Sequence, residues 1–109
     1  MENEVIKVTA RCPVRTTLEM LGGKWRLLIL LQLSNQSLRP SELLRLIPDI
    51  SEKMLLQELK NLMDNELIAR IDYEVLPPRV EYCITDKGKL TLPLIDEMKK
   101  FAEAYHAAL

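Results

Sequence analysis

Apolar residues along this chain follow two rhythms. Between Thr16 and Glu66 they recur at intervals of three and four, which stacks side chains on one face of an α-helix. Between Ala69 and Ile84 they alternate singly, as in a half-buried strand. Thr16 to Leu21 reads as a short helix closed by Gly22-Gly23, a pair suited to left-handed backbone at a helix end. Lys24 to Leu33 restarts it, with Trp25, Leu28, Ile29 and Leu33 on one stripe and Leu27, Leu30 and Leu31 filling most of the remaining circumference. A helix apolar nearly all round belongs in the domain core, or in the core plus a subunit interface.

After the turn Asn35-Gln36-Ser37, the segment Ser41 to Ile47 predicts a third helix. Ser41 is its expected N-cap, and Glu42 in the first turn suits the helix dipole. Pro48-Asp49 closes it, and Ser51 caps the next helix, SEKMLLQELKNLMDNEL. Two helices joined by so short a turn form a helix-turn-helix. Ala69–Val75 and Val80–Ile84 then predict a hairpin whose turn is stiffened by Pro77 and Pro78, where ladder donors are not wanted. Thr85-Asp86 can cap the next segment. Pro93 opens a last helix reaching about His106, with Leu94, Met98, Phe101 and Tyr105 along one side. The expected fold is mainly α with a small β-hairpin: a winged helix-turn-helix in a single domain, 1–109, with residues 1–10 as a flexible arm.

At about 100° per residue, Leu55, Leu59 and Leu62 of the second motif helix share one core-facing sector. Ser51, Lys53, Gln57 and Lys60 lie outward near its start, as a helix entering a major groove requires. Taken alone, such residues are more often a plain solvated face. Leu56 and Met54 flank the core line; packing is the favoured reading for Leu56, and contact with a thymine methyl the other. Arg79 sits at the base of the projecting loop, in reach of a phosphate or the minor groove. Its competing reading is an ion pair with Glu81 or Glu74.

Charge gives no general attraction to nucleic acid. Of 109 residues, 15 are Lys or Arg and 16 Asp or Glu, for a net charge of −1. Residues 51–89, which hold the second motif helix and the hairpin, carry six basic and eight acidic side chains. Any DNA contact must therefore come from local placement. A single histidine, two distant cysteines and no phosphate-binding glycine loop argue against a metal site, a cofactor or an enzyme. The apolar run Leu27–Leu31 is too short to span a bilayer, and MENEVIKVTARCP lacks a signal-peptide core, so a cytoplasmic location is expected.

Several stretches together carry a resemblance: Cys12-Pro13-Val14, Leu21-Gly22-Gly23-Lys24-Trp25, Arg39-Pro40-Ser41-Glu42-Leu43, the run from Ile47 to Leu55, and Pro77-Pro78-Arg79-Val80-Glu81-Tyr82. In this order they resemble the HxlR-type winged-helix transcription regulators, relatives of the MarR regulators, over roughly residues 11–106. The resemblance implies a homodimer on a near-palindromic operator in double-stranded DNA. Arg39, Ser41, Ser51, Lys53, Gln57, Lys60 and Arg79 would then form the DNA face. The first and last helices would form the dimer contact through Leu18, Leu21, Leu94, Met98, Phe101 and Tyr105. It also implies that Cys12, with Arg11 and Arg15 close by, senses oxidants or electrophiles; an inert interface thiol is the equal alternative. Cys83 is expected to point away from the core without a role. Two positions depart from the family pattern. Glu66 stands where a glycine is usual, so Asn65 is expected to take the left-handed turn or the helix to end differently. Leu56 stands where a small or polar residue is usual. A reading from another class, a winged helix that binds protein and not DNA, rests on the acidic balance of residues 51–89.

Overall fold

The computed structural model describes residues 9–108, so the expected arm at residues 1–10 lies outside it except for Thr9 and Ala10. Six helices and one hairpin are arranged in the order α1 (Pro13–Leu21), α2 (Arg26–Gln32), α3 (Pro40–Leu46), α4 (Glu52–Asp64), β1 (Ile68–Asp72), β2 (Val80–Ile84), α5 (Asp86–Lys89) and α6 (Leu92–Ala108). α1 starts three residues before the expected Thr16, because Pro13 at its first position has φ preset and lacks only a donor that no helix start needs. Of the two glycines after α1, Gly23 alone is left-handed, at φ 92°.

The core forms where α2, α3 and α4 meet. Ile29, Leu30, Leu33, Leu43, Leu55, Leu59 and Leu62 are fully buried there. The stripe on α2 is rotated from the expected one: Ile29, Leu30 and Leu33 face inward, whereas Leu28 is exposed. Ser51 caps α4 as expected, its hydroxyl accepting from the Met54 N–H at 3.1 Å. The cap of α3 is Arg39, not Ser41, which lies inside the helix. Glu42 makes that start possible, since its carboxylate accepts the Arg39 backbone N–H at 2.9 Å.

β1 and β2 pair antiparallel, with Ile68 opposite Ile84 and Arg70 opposite Tyr82. Leu38, just ahead of α3, exchanges both backbone hydrogen bonds with Tyr82, at 3.0 and 2.8 Å. This bridge ties the hairpin to the helix-turn-helix. β1 ends at Asp72, earlier than the expected Val75, and 73–79 form the projecting loop.

The join between α4 and β1 turns on Glu66. It adopts φ 60°, so Glu66 itself and not Asn65 takes the left-handed position. The Leu67 N–H then reaches the Leu62 carbonyl at 3.0 Å and the Glu66 N–H reaches Met63 at 2.9 Å, which closes the helix. The Thr85 hydroxyl donates to the Glu66 carbonyl at 2.6 Å. Gly88 of α5 lies under the same turn, where an added Cβ would meet the Leu67 carbonyl oxygen at 2.0 Å.

These two sites predict opposite outcomes in chemical denaturation. Glu66→Gly removes a left-handed L-residue and should raise stability by roughly 1 kcal/mol, since its exposed pair with Lys87 contributes little. Gly88→Ala should lower stability by about 1–3 kcal/mol, because the obstruction is backbone and cannot step aside. A loss on Glu66→Gly would overturn the account of the turn.

Candidate nucleic-acid interface

The outer face of α4 is built by subtraction. Leu55, Leu59 and Leu62 hold the helix to the core, and Glu58, also on that side, is buried against α2. Arg26 Nε donates to Glu58 Oε2 at 2.8 Å, while its Nη1 donates to the carbonyls of Glu19 and Met20 at 3.1 and 3.0 Å. One guanidinium thus links the end of α1, the start of α2 and the middle of α4, and fixes the rotation of α4 about its axis. With that rotation set, Ser51, Lys53, Gln57 and Lys60 are exposed. Lys53, Gln57 and Lys60 have no ion pair or side-chain hydrogen bond among the described residues. Met54, on one flank, folds onto the core. Leu56, on the other, does not pack as expected and stays 48% exposed.

A second group gathers at the base of the wing. Arg79 donates through Nη2 and Nε to Glu81 Oε2 at 2.7 and 3.1 Å, and its guanidinium lies 4.6 Å from the Tyr73 ring centroid. Tyr73 donates its hydroxyl to the other Glu81 oxygen at 2.9 Å. The ion pair weighed against a DNA role is therefore present. It engages one edge of the guanidinium of a side chain that remains 52% exposed, whereas the Glu81 side chain is only 10% exposed. Arg79, and then Tyr73, hold the Glu81 carboxyl below its ordinary range; Glu81 in turn pushes the Tyr73 phenol up. Glu42, kept ionised chiefly by the Arg39 backbone N–H and side chain, is close enough to act on both Arg79 and Glu81. Arg39 and Arg79 thus share one neighbourhood with two carboxylates. Ser41 is exposed in the first turn of α3.

The remaining expected residues fall elsewhere. Leu21, expected in the dimer contact, is buried in the chain's own core. Leu18, Leu94, Met98, Phe101 and Tyr105 are exposed, and α6 carries no buried residue from Asp96 to Ala107. Val14, Leu18, Leu21 and Leu27 line, with Leu94 and Met98, an open apolar groove of about 500 Å³ between α1 and α6. Cys12 is buried at the N-cap of α1, and the nearby Arg15 is engaged by Glu19 at 3.1 Å. Cys83 is a half-buried free thiol. Among the described residues no three His, Cys, Asp or Glu side chains group as metal ligands, and no helix is long and apolar enough to cross a membrane.

Sequence reasoning missed the Arg26–Glu58 pair, the role of Tyr73 and the exposure of Leu56. Glu58 was detectable, since a carboxylate inside the apolar arc of a helix needs a partner.

A family model for HxlR-like helix-turn-helix proteins matches residues 20–108. The chain belongs to this family. It is 42% identical over 94 residues to an HTH-type transcriptional regulator of Methanothermobacter thermautotrophicus, covering 86% of this chain and 72% of that one. A solved structure from Porphyromonas gingivalis W83, described as a MarR-family transcriptional regulator, superposes with a TM-score of 0.85 at 44% identity, covering 93% of this chain and 97% of that one. The redox regulator HypR in its oxidised form superposes with a TM-score of 0.81 at 33% identity, covering 85% and 96%. This HxlR-like chain is accordingly a winged-helix transcriptional regulator, a class of DNA-binding protein and not of enzyme.

Proposed function

We infer that this regulator acts in the cytoplasm as a homodimer of single-domain protomers on a near-palindromic operator, each protomer placing α4 in a major groove and its wing on the flanking backbone. The observation that carries this is the row Lys53, Gln57 and Lys60, exposed and without a partner among the described residues, along a helix whose first turn is capped by Ser51. Side chains of this kind near a helix start reach base edges and phosphates. Arg39, Ser41 and Arg79 add backbone contacts, with Arg79 presenting the edge that Glu81 leaves free. Partial neutralisation of Arg39 and Arg79 by Glu42 and Glu81 favours the alternative, a winged helix that binds protein. Binding to the protein's own upstream region separates the two. Affinity should fall steeply with salt; Lys53→Ala and Lys60→Ala should each reduce the log–log slope by about one. Arg79→Ala should weaken binding alike on all sequences, with a smaller change of slope. Equal affinity for random DNA would overturn the operator reading.

The dimer contact runs along α1 and α6. Phe101 is 71% exposed and stacks on Tyr105 of the same helix, with no cover from the chain's own core. In sedimentation, the wild type should run as a dimer and Phe101→Glu as a monomer; a dimeric Phe101→Glu would place the contact elsewhere.

Similarity to HypR supports a sensing role for Cys12. A hydroperoxide would oxidise the thiol to a sulfenic acid with release of water or an alcohol. Hydrogen peroxide should then release wild-type protein from DNA and leave Cys12→Ser bound. Equal release of both would assign the response to another group.

A further inference from the structure

The outward face of α4 holds one residue whose exposure its chemistry does not explain. Leu56 lies about 60° from Lys53 and about 40° from Lys60 on the helix wheel. Met54 occupies the mirror flank and packs onto the core, whereas Leu56 stays 48% exposed. The core beneath is already filled by Leu55, Leu59 and Leu62, all fully buried, which leaves Leu56 about half outside it. A single exposed leucine is ordinary on most surfaces. Here it sits among the three unpaired polar side chains that the DNA reading assigns to the major groove. In that groove thymine alone of the four bases offers an apolar group, its C5 methyl. Leucine cannot hydrogen-bond, and pressed against cytosine it would strip water from the exocyclic amine without replacing the bond.

We propose that Leu56 is a specificity-determining residue that reads a thymine methyl in each half-site, with Lys53, Gln57 and Lys60 supplying the polar contacts around it. This rests on the operator reading above. The test replaces thymine by uracil, one position at a time, in a duplex selected by the wild-type protein from a random library; only the methyl is lost. One thymine per half-site should cost the wild type about four-fold in affinity, the worth of one buried methyl-sized group. Leu56→Ala should bind the thymine duplex more weakly by at least that factor and show no further cost from uracil at that position. Leu56→Met, which keeps an apolar end, should retain the uracil cost. If uracil costs wild type and Leu56→Ala alike, another group reads the methyl and the proposal falls. If no position shows a cost, it falls too. A wild-type protein that selects no sequence at all would sink the operator reading and this proposal together, an outcome distinct from selection without Leu56 coupling.

Discussion

The orientation of the outward face of α4 depends on Arg26. Its guanidinium spans the last carbonyls of α1 and the Glu58 carboxylate of α4, and so joins three helices at one partly buried point. The charge is well placed at both ends, since a cation complements the negative end of α1 while the carboxylate accepts a charge-assisted bond. A pair of this kind adds little net stability over a well-packed apolar substitute. Its effect is geometric. Leucines on a helix face tolerate rotation by tens of degrees, but a 2.8 Å ion pair does not. Rotating α4 would strand Glu58, so the outward row is held in one setting.

The wing is positioned by the same kind of constraint. The Leu38–Tyr82 bridge fixes the hairpin to the entry of α3, and the Thr85 bond to the Glu66 carbonyl fixes it to the exit of α4. Between those anchors, Glu81 holds Arg79 against the Tyr73 ring. An arginine loses up to about 2 kcal/mol of rotamer freedom when it is immobilised, and here much of that loss is met during folding. The same carboxylate removes part of the charge. On the proposed reading, the arginine is thereby better suited to fixing register on a DNA backbone than to contributing bulk electrostatic attraction.

The helix-turn-helix, the hairpin and the core sector of α4 were legible because each rests on local periodicity. The alternation Ile71, Tyr73, Val75 suggested a longer β1 than forms, since Tyr73 is used by Glu81 and Glu74 turns to φ 53°. The rotation of α2 was not legible, because a segment apolar on every side carries no phase. The N-cap of α3 was misplaced by two residues, since Glu42 reaches back to the backbone N–H and the side chain of Arg39, a residue type that does not ordinarily cap. At Glu66 the chain keeps a strained conformation that glycine would adopt freely; the turn is imposed by the bonds of Leu67 and Thr85 on either side. Of the site, the α4 row could be read from its angles. The neighbourhood shared by Arg39 and Arg79 could not, because it depends on a bridge between residues 38 and 82.

The placement of Cys12 connects sensing to assembly on the proposed reading. Pro13 and Val14, the two residues after it, line the apolar groove that faces Leu94 and Met98. α6 extends past the core as a helix of 17 residues with its later turns uncovered. An isolated helix of that length is marginal in water, so what covers its apolar side sets its direction. A buried thiol at the start of α1 that gains an oxygen needs room and a hydrogen-bond partner, and Cys12 is the N-cap of α1 with no side-chain hydrogen bond to it. Movement there changes the groove before it changes the core. In the proposed dimer, where that groove would set the separation of two α4 helices, a small shift in α1 would alter the fit to both proposed half-sites at once. The coupling then needs no change within α4 itself, whose rotation Arg26 continues to hold.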